Sequence, residues 1–390
     1  MDNLKKALLI FLTVNLCLYL FMWQFHWLVP FNQNLYINSS HHYLTDERIL
    51  SGNYNFLRAL GQYDAQWYLK IADNGYPPNP QTVEMENKTV MDGLTYAFFP
   101  LYPLLISILN MGINNVELAA FILGQILATA AFCSLYFVVS RIYGEKIAFR
   151  TSLLLFLFPF SIFFRSYYTE SLFLMILVWY GYFLVKKQWW GVAVANALMM
   201  VTRPTGLFLV PVTTVFLIAD CLKNKTKLKE MIIVPLITGL PFISWMIFNF
   251  KSTGDPFYWK NVQSSWYLTS SPLVIIKVNL YLLKNFFALP FHSFHTSRVD
   301  ILAVMYVGFI LIAGFRFLKR EWWLMSLMMW LPLLILKDTM SFSRYQSVSF
   351  PLFVYLAGNM NNKWFTAVSV ILGALLFATS LYFINWHWIG

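Results

Sequence analysis

In the stretch GQYDAQWYLKIADNGYPP, residues 61–78, a single carboxylate, Asp64, stands among rings and aliphatic side chains. Asp64, Trp67, Tyr68 and Ile71 follow the i, i+3, i+4, i+7 spacing of one helical face, and Gln66, Lys70 and Asp73 fall on the other. Asn74-Gly75 stops such a helix and Pro77-Pro78 prevents its continuation. Asp64 is therefore expected in the first turn, where free N–H groups and the helix dipole favour an ionised acid. Taken alone, it reads most simply as an N-cap. Other charged residues give it company. Glu170, in FFRSYYTESLF, adjoins Arg165, Tyr167 and Tyr168, and a local Arg165–Glu170 ion pair would account for it. Arg203, in MMVTRPTGLFL, interrupts an otherwise continuous apolar run. An arginine at a broken helix, followed by Gly206, suits an anionic ligand, while snorkelling to the interface is its plainer role. Arg344, in FSRYQSVSFP, repeats the pattern with Tyr345 beside it. Polar groups at the ends of apolar spans are costly near lipid and mark function.

Metal chemistry is not expected. His292 and His295, in PFHSFHTSRVD, have zinc-like spacing but no evident third ligand, and Pro290 makes the segment irregular. Neither a D-x-D pair nor a carboxylate cluster stands beside Asp64, and a hard-cation site needs more than one such oxygen ligand. Cys17, Cys133 and Cys221 are isolated in apolar stretches without C-x-x-C spacing, so neither a disulfide nor a metal role is expected for them.

The elements that must position these residues follow from composition. The 390 residues are 59% hydrophobic and 12% charged, with a mean hydropathy of +0.59, a balance foreign to soluble domains of this length. Apolar runs of about 15–28 residues predict membrane helices rather than the shorter alternating segments of an outer-membrane barrel. The net charge of +11 is scattered between those runs, so it reads as a topology signal and not as a nucleic-acid surface. The N-terminal apolar run is too long for a cleaved signal peptide and reads as a retained first span.

With Lys5 and Lys6 inside, the expected spans are about 7–29, 116–141, 147–165, 167–185, 189–202, 205–222, 231–250, 300–318, 321–337, 344–358 and 364–388, about 11 transmembrane helices in a single domain, 1–390. Basic loops then fall inside. Two large loops, 30–115 and 251–299, fall outside with Asp64, the first holding an interfacial or re-entrant helix near 96–110 and the second a surface-lying helix near 273–287. Absence of a fixed-period repeat weighs against an inverted-repeat transporter. Asn38-Ser39-Ser40 and Asn87-Lys88-Thr89 are external sequons, relevant only in a glycosylating compartment.

An ordered set of motifs, YDAQWYLKIADNGY, AFFPLYPLL, FPFSIFFRSYYTESLFL, TRPTGLFLVP, GDPFYW and SRYQSVSFP, spread over about residues 55–355, resembles the bacterial branch of the PIG-V family of GPI mannosyltransferase II-like enzymes, within the GT-C glycosyltransferase superfamily. The resemblance implies an all-α GT-C fold. It also implies a polytopic enzyme, in a bacterium one of the plasma (inner) membrane, active on the outer or luminal face, that moves a sugar, usually mannose, from a polyprenyl or dolichyl phosphate. The acceptor would be a glycan, glycolipid or protein. In that family the Asp of a Trp-Asp motif in the first external loop is regarded as the catalytic base. It aligns with Asp64, and Tyr63 stands where the family usually has Trp. GPI anchors are eukaryotic, so the acceptor does not carry over.

The expected mechanism is an inverting single displacement. Asp64 takes the acceptor hydroxyl proton, and one carboxylate suffices because no covalent glycosyl intermediate forms. Arg203 and Arg344 face the departing phosphate. Glu170, Trp67, Tyr68, Tyr168 and Tyr345 complete the expected substrate-binding set. No cofactor is called for. Two other readings share these features: a lipid-linked-sugar flippase, which predicts charges nearer the bilayer midplane, and a GT-C transferase of a sugar other than mannose.

Overall fold

The computed structural model describes residues 2–39, 43–80, 82–85, 88–224, 228–263, 271–290, 297–336, 339 and 341–390. The chain begins with α1 (Asp2–Phe25), then crosses the first large loop as short helices: α2 (Gln33–Ser39), α3 (Glu47–Leu50), α4 (Phe56–Leu60) and α5 (Asp64–Asn74). A small antiparallel hairpin follows, β1 (Thr82–Met85) with β2 (Lys88–Met91), in a register that sets Val83 opposite Val90. Next come α6 (Leu101–Ile113), α7 (Val116–Tyr143), α8 (Glu145–Leu157), α9 (Glu170–Lys186), α10 (Trp189–Met200), α11 (Val210–Lys223) and α12 (Glu230–Thr253). The second large loop carries α13 (Tyr258–Val262) and α14 (Pro272–Lys284), after which α15 (Arg298–Gly314), α16 (Arg320–Leu336), α17 (Phe342–Ser347), α18 (Phe350–Asn359) and α19 (Asn362–Ile384) complete the bundle.

Among the described residues, five segments are each long and apolar enough to cross a bilayer of about 30 Å: Asn3–Leu28, Val116–Tyr143, Pro204–Lys223, Glu230–Thr253 and Asn362–Ile384. The other expected spans are shorter helices, several of them interrupted. The protein is an integral membrane protein with an all-α, polytopic architecture. Leu104, Ile108 and Met111 on α6 are exposed while Tyr102, Pro103 and Ile106 are buried, so this 13-residue helix offers an apolar stripe outward.

The bundle is built on α7, which packs along both α8 and α9, and on α10, which packs between α9 and α12. Three breaks matter for function, all at the end of the bundle that carries the first loop. Pro159 ends α8 by forcing Phe158 into an extended conformation, and a 3-10 turn, Pro159–Phe164, leads to the start of α9. Pro204 ends α10 in the same way, with Arg203 extended and a 3-10 turn to Leu209. There Gly206 lies so close to α10 that a Cβ on it would sit 2.4 Å from the Met199 carbonyl carbon. The third break separates α17 from α18 at Val348-Ser349, just before Pro351. Irregular backbone at membrane depth survives where protein buries it or where it lines a cavity. Arg165 supports the first break: its guanidinium donates to Asn15 Oδ1 (2.6 Å), to the Ser161 carbonyl (2.9 Å) and to the Phe156 carbonyl (2.9 Å).

The final span departs from the sequence expectation. α19 ends at Ile384 rather than near 388. Asn385 donates to the His26 carbonyl (2.8 Å) and accepts from Arg48 Nη1 (2.6 Å), and Trp386 turns the backbone with φ 60°. Residues 385–390 therefore fold back over the end of the bundle.

Candidate active site

The first loop is pinned where Asp64 must stand. Arg58 on α4 pairs with Glu117 at the start of α7 (2.7 Å), and the Tyr167 and Tyr168 hydroxyls donate to the carbonyls of Leu57 (2.9 Å) and Gln62 (2.8 Å). Gly61 admits this approach, since a Cβ there would meet the Tyr167 ring at 3.2 Å. The expected helix is present as α5, ended by Gly75 at φ 74°. Trp67, Tyr68 and Ile71 are buried on it as the spacing predicts, but Gln66 is buried too, reaching the Leu44 carbonyl at 3.3 Å. Lys70 pairs with Asp92, and Asp73 accepts from the Tyr43 hydroxyl. Asp64 is the first residue of the helix proper, and Tyr63 occupies the N-cap with φ 50° and ψ −121°.

Asp64 meets a partner 280 residues away: Arg344 Nη1 donates to its Oδ2 at 2.8 Å. The Nε of the same guanidinium donates to Glu170 Oε1 at 2.7 Å. Glu170 Oε1 also lies 2.9 Å from Arg203 Nη1, close enough for an ion pair but poorly angled for a hydrogen bond, so Arg203 Nη1 and Glu170 Oε2 are buried without a hydrogen-bond partner. The local Arg165–Glu170 pair does not form, because Arg165 is occupied at the α8 break. The chain thus assembles Asp64–Arg344–Glu170–Arg203 from α5, α17, α9 and the break after α10. Both acids begin a helix, where the positive end of the dipole favours their charge.

Two carboxylates and two guanidiniums cancel in formal charge, which makes this burial tolerable. The Asp64 side chain is 23% exposed against 0% for Glu170, so the water-facing member is Asp64. Rings complete the setting. Arg344 Cζ stands 4.5 Å from the Tyr168 ring centre and 4.6 Å from that of Phe163, and Arg203 Cζ stands 5.0 Å from that of Tyr345. Burial holds the Tyr68 phenol above its ordinary value, opposed by the positive charge of Arg203.

Of the residues expected from sequence, Asp64, Glu170, Arg203, Arg344, Tyr168 and Tyr345 come together, with Tyr68 within electrostatic reach. Trp67 is 1% exposed and packs on Phe98 and under the Lys70 ammonium. Two neighbours escaped the sequence reading. Phe163 supports Arg344, and the buried Tyr102 hydroxyl, with no hydrogen-bond partner, belongs to a ring 5.3 Å from Tyr68. The signal for Tyr102 was a lone hydroxyl in the apolar stretch AFFPLYPLL. Among the described residues no three of His, Cys, Asp or Glu gather as metal ligands would, and no disulfide joins the cysteines. His292 and His295 lie outside the described residues, as do Ser40 and Asn87 of the sequons.

Chemically, the arrangement offers an ionised carboxylate at the water-facing edge, able to accept a proton, above buried guanidinium donors able to meet an anion.

Residues 99–245 match the family of dolichyl-phosphate-mannose-protein mannosyltransferases, a GT-C family. The matched segment contains Glu170 and Arg203 but neither Asp64 nor Arg344. The match supports the GT-C class expected from the motifs. No curated protein matches the chain. Among solved structures, the Archaeoglobus fulgidus oligosaccharyltransferase, in complex with Zn and sulfate, aligns with a TM-score of 0.49 at 14% identity, over 81% of this chain and 48% of that one. The chain thus spans about half the length of that structure.

Proposed function

We propose that this chain is a GT-C glycosyltransferase that moves a sugar from a polyprenyl-phosphate donor to an acceptor hydroxyl, with mannose as the sugar and Asp64 as the base, in a manner akin to the PIG-V enzymes its motifs resemble. The observation that carries this reading is the Asp64–Arg344–Glu170–Arg203 network, gathered from four separate elements at the broken helix ends. The family match over 99–245 supports the donor class.

In the reaction, the acceptor oxygen attacks the anomeric carbon as its proton passes to Asp64. The bond from that carbon to the phosphate oxygen breaks on the opposite face, and the lipid phosphate departs with the electron pair. One displacement inverts the anomer. Because the four charges cancel, attraction for a phosphate cannot come from surplus positive charge; it comes from guanidinium N–H groups with unused donor capacity. That favours Arg203 over Arg344, whose Nε and Nη1 already serve two carboxylates. Arg344 keeps Asp64 ionised and aimed until the acceptor arrives.

The test is incubation of purified protein with radiolabelled polyprenyl-phosphate mannose, the glucose analogue and a panel of glycan, glycolipid and peptide acceptors. Labelled product of inverted anomeric configuration with stoichiometric lipid phosphate supports the reading. Retained configuration, or movement of intact donor across proteoliposomes with no phosphate released, contradicts it.

A further inference from the structure

We infer that residues 385–390 form a strap that positions the catalytic pair, with Trp386 and Trp388 as positioning residues that clamp Tyr63 so that Asp64 is aimed at Arg344. This inference rests on the function proposed above.

The first observation is backbone strain beside the base. Tyr63 has φ 50° and ψ −121°, a region that L side chains rarely occupy. Such a conformation persists only where its surroundings over-determine it. The surroundings here are two indoles: the Tyr63 ring lies 4.9 Å from Trp386 and 4.8 Å from Trp388, the latter edge-on at 80°. Trp386 is itself held at φ 60°, with its Nε1 donating to Asp46 Oδ2 at 3.2 Å and its ring edge-on to Tyr36. Trp386 is thus tied to the loop, and it holds Tyr63 from that anchor.

The second observation is that the same segment reaches the other partner. Ser341 Oγ donates to the Gly390 carbonyl at 3.1 Å, and a Cβ on Gly390 would lie 3.2 Å from Arg344 Cδ and 2.8 Å from the Phe163 ring. The strap therefore packs on the residue that precedes Asp64 and on the stem of Arg344. A salt bridge 2.8 Å long between elements 280 residues apart is sensitive to small displacements of either end. Tyr63, Trp386 and Trp388 are 3%, 1% and 8% exposed, so none of them is a platform on which a substrate could stack. Their role is to hold.

The test compares Trp388→Ala, Trp388→Phe, Tyr63→Gly and the Trp388→Ala/Tyr63→Gly double variant. Glycine tolerates φ 50°, so a chain with glycine at 63 no longer needs the clamp. Trp388→Ala is expected to lower kcat by about 10²-fold with the donor KM unchanged, as misplacement of a reacting group does. Trp388→Phe should restore most of that loss. In the double variant, Trp388→Ala should add little to Tyr63→Gly. Wild-type kcat in Trp388→Ala, or full additivity, overturns the inference and leaves the function standing. A wild-type protein inert toward lipid-phosphate sugars overturns the function instead. Hydrogen exchange over residues 60–68 then decides the inference without turnover: Trp388→Ala should accelerate it at least about tenfold, and unchanged exchange overturns the clamp. If Trp388→Ala does not fold, Trp388→Leu carries both measurements.

Discussion

Asp64 and Glu170 are both acids at the first position of a helix and both bind Arg344, yet they differ in access to water, and their expected roles divide accordingly. Glu170 is sealed between two guanidiniums, so Glu170→Ala leaves two buried cations with one carboxylate between them. It is expected to destabilise the protein by about 3–5 kcal/mol, read by denaturant or thermal unfolding in detergent. Arg203 is the converse case. Glu170 keeps its hydrogen bond to Arg344 when Arg203 is removed, so Arg203→Ala should remain folded and show a donor KM raised about 10–100-fold, the worth of a charged hydrogen bond to phosphate. An unchanged KM returns Arg203 to an ion-pair role only. The sequence revealed each of these residues singly, as a charge at the end of an apolar run, but not their pairing. Separations of 174 and 280 residues are set by packing, whereas sequence spacing reports only neighbours within a turn or two. Hence the nearby Arg165 offered itself as the partner of Glu170, although it serves the carbonyls of a broken helix.

At the scale of elements, the site depends on breaks being where they are. Gly206→Ala places a methyl group against the Met199 carbonyl and should displace the turn that carries Arg203, at a cost of about 1–3 kcal/mol with donor use impaired. Full stability and activity in this variant would show that the break has room to spare. Pro204 made its break legible in sequence, as Asn74-Gly75 did for the end of α5, whereas the spans expected at 147–165 and 344–358 ran straight across Pro159 and Pro351, where the structure interrupts both helices. The end of α19 was not legible, because WHWIG continues an apolar pattern and only its tertiary partners turn it back. That turn is tied by Asp46. Burial raises its carboxyl, but the hydrogen bonds and charge of Arg48, aided by Trp386, outweigh this and hold it below its ordinary value of 3.8. A depressed carboxylate stabilises above its unfolded value and loses that contribution as pH falls through the folded one. Hydrogen exchange at 384–390 should therefore be flat from pH 7 to 5, after correction for intrinsic rates, and should rise below about pH 4.

For the molecule as a whole, composition alone placed the chain in a membrane, and run lengths excluded a barrel. The arrangement then has one logic: apolar helices provide a rigid frame, proline breaks turn polar backbone inward at one end, and a neutral set of four charges occupies the space so created. The central claim is that the water-facing acid of that set performs proton abstraction. Its most direct test is single-turnover transfer from radiolabelled polyprenyl-phosphate sugar by wild type and Asp64→Asn, with donor binding measured in parallel. The rate should be lower by about 10²–10⁴-fold in the variant, with donor binding retained. Transfer at the wild-type rate by a folded Asp64→Asn protein would contradict it.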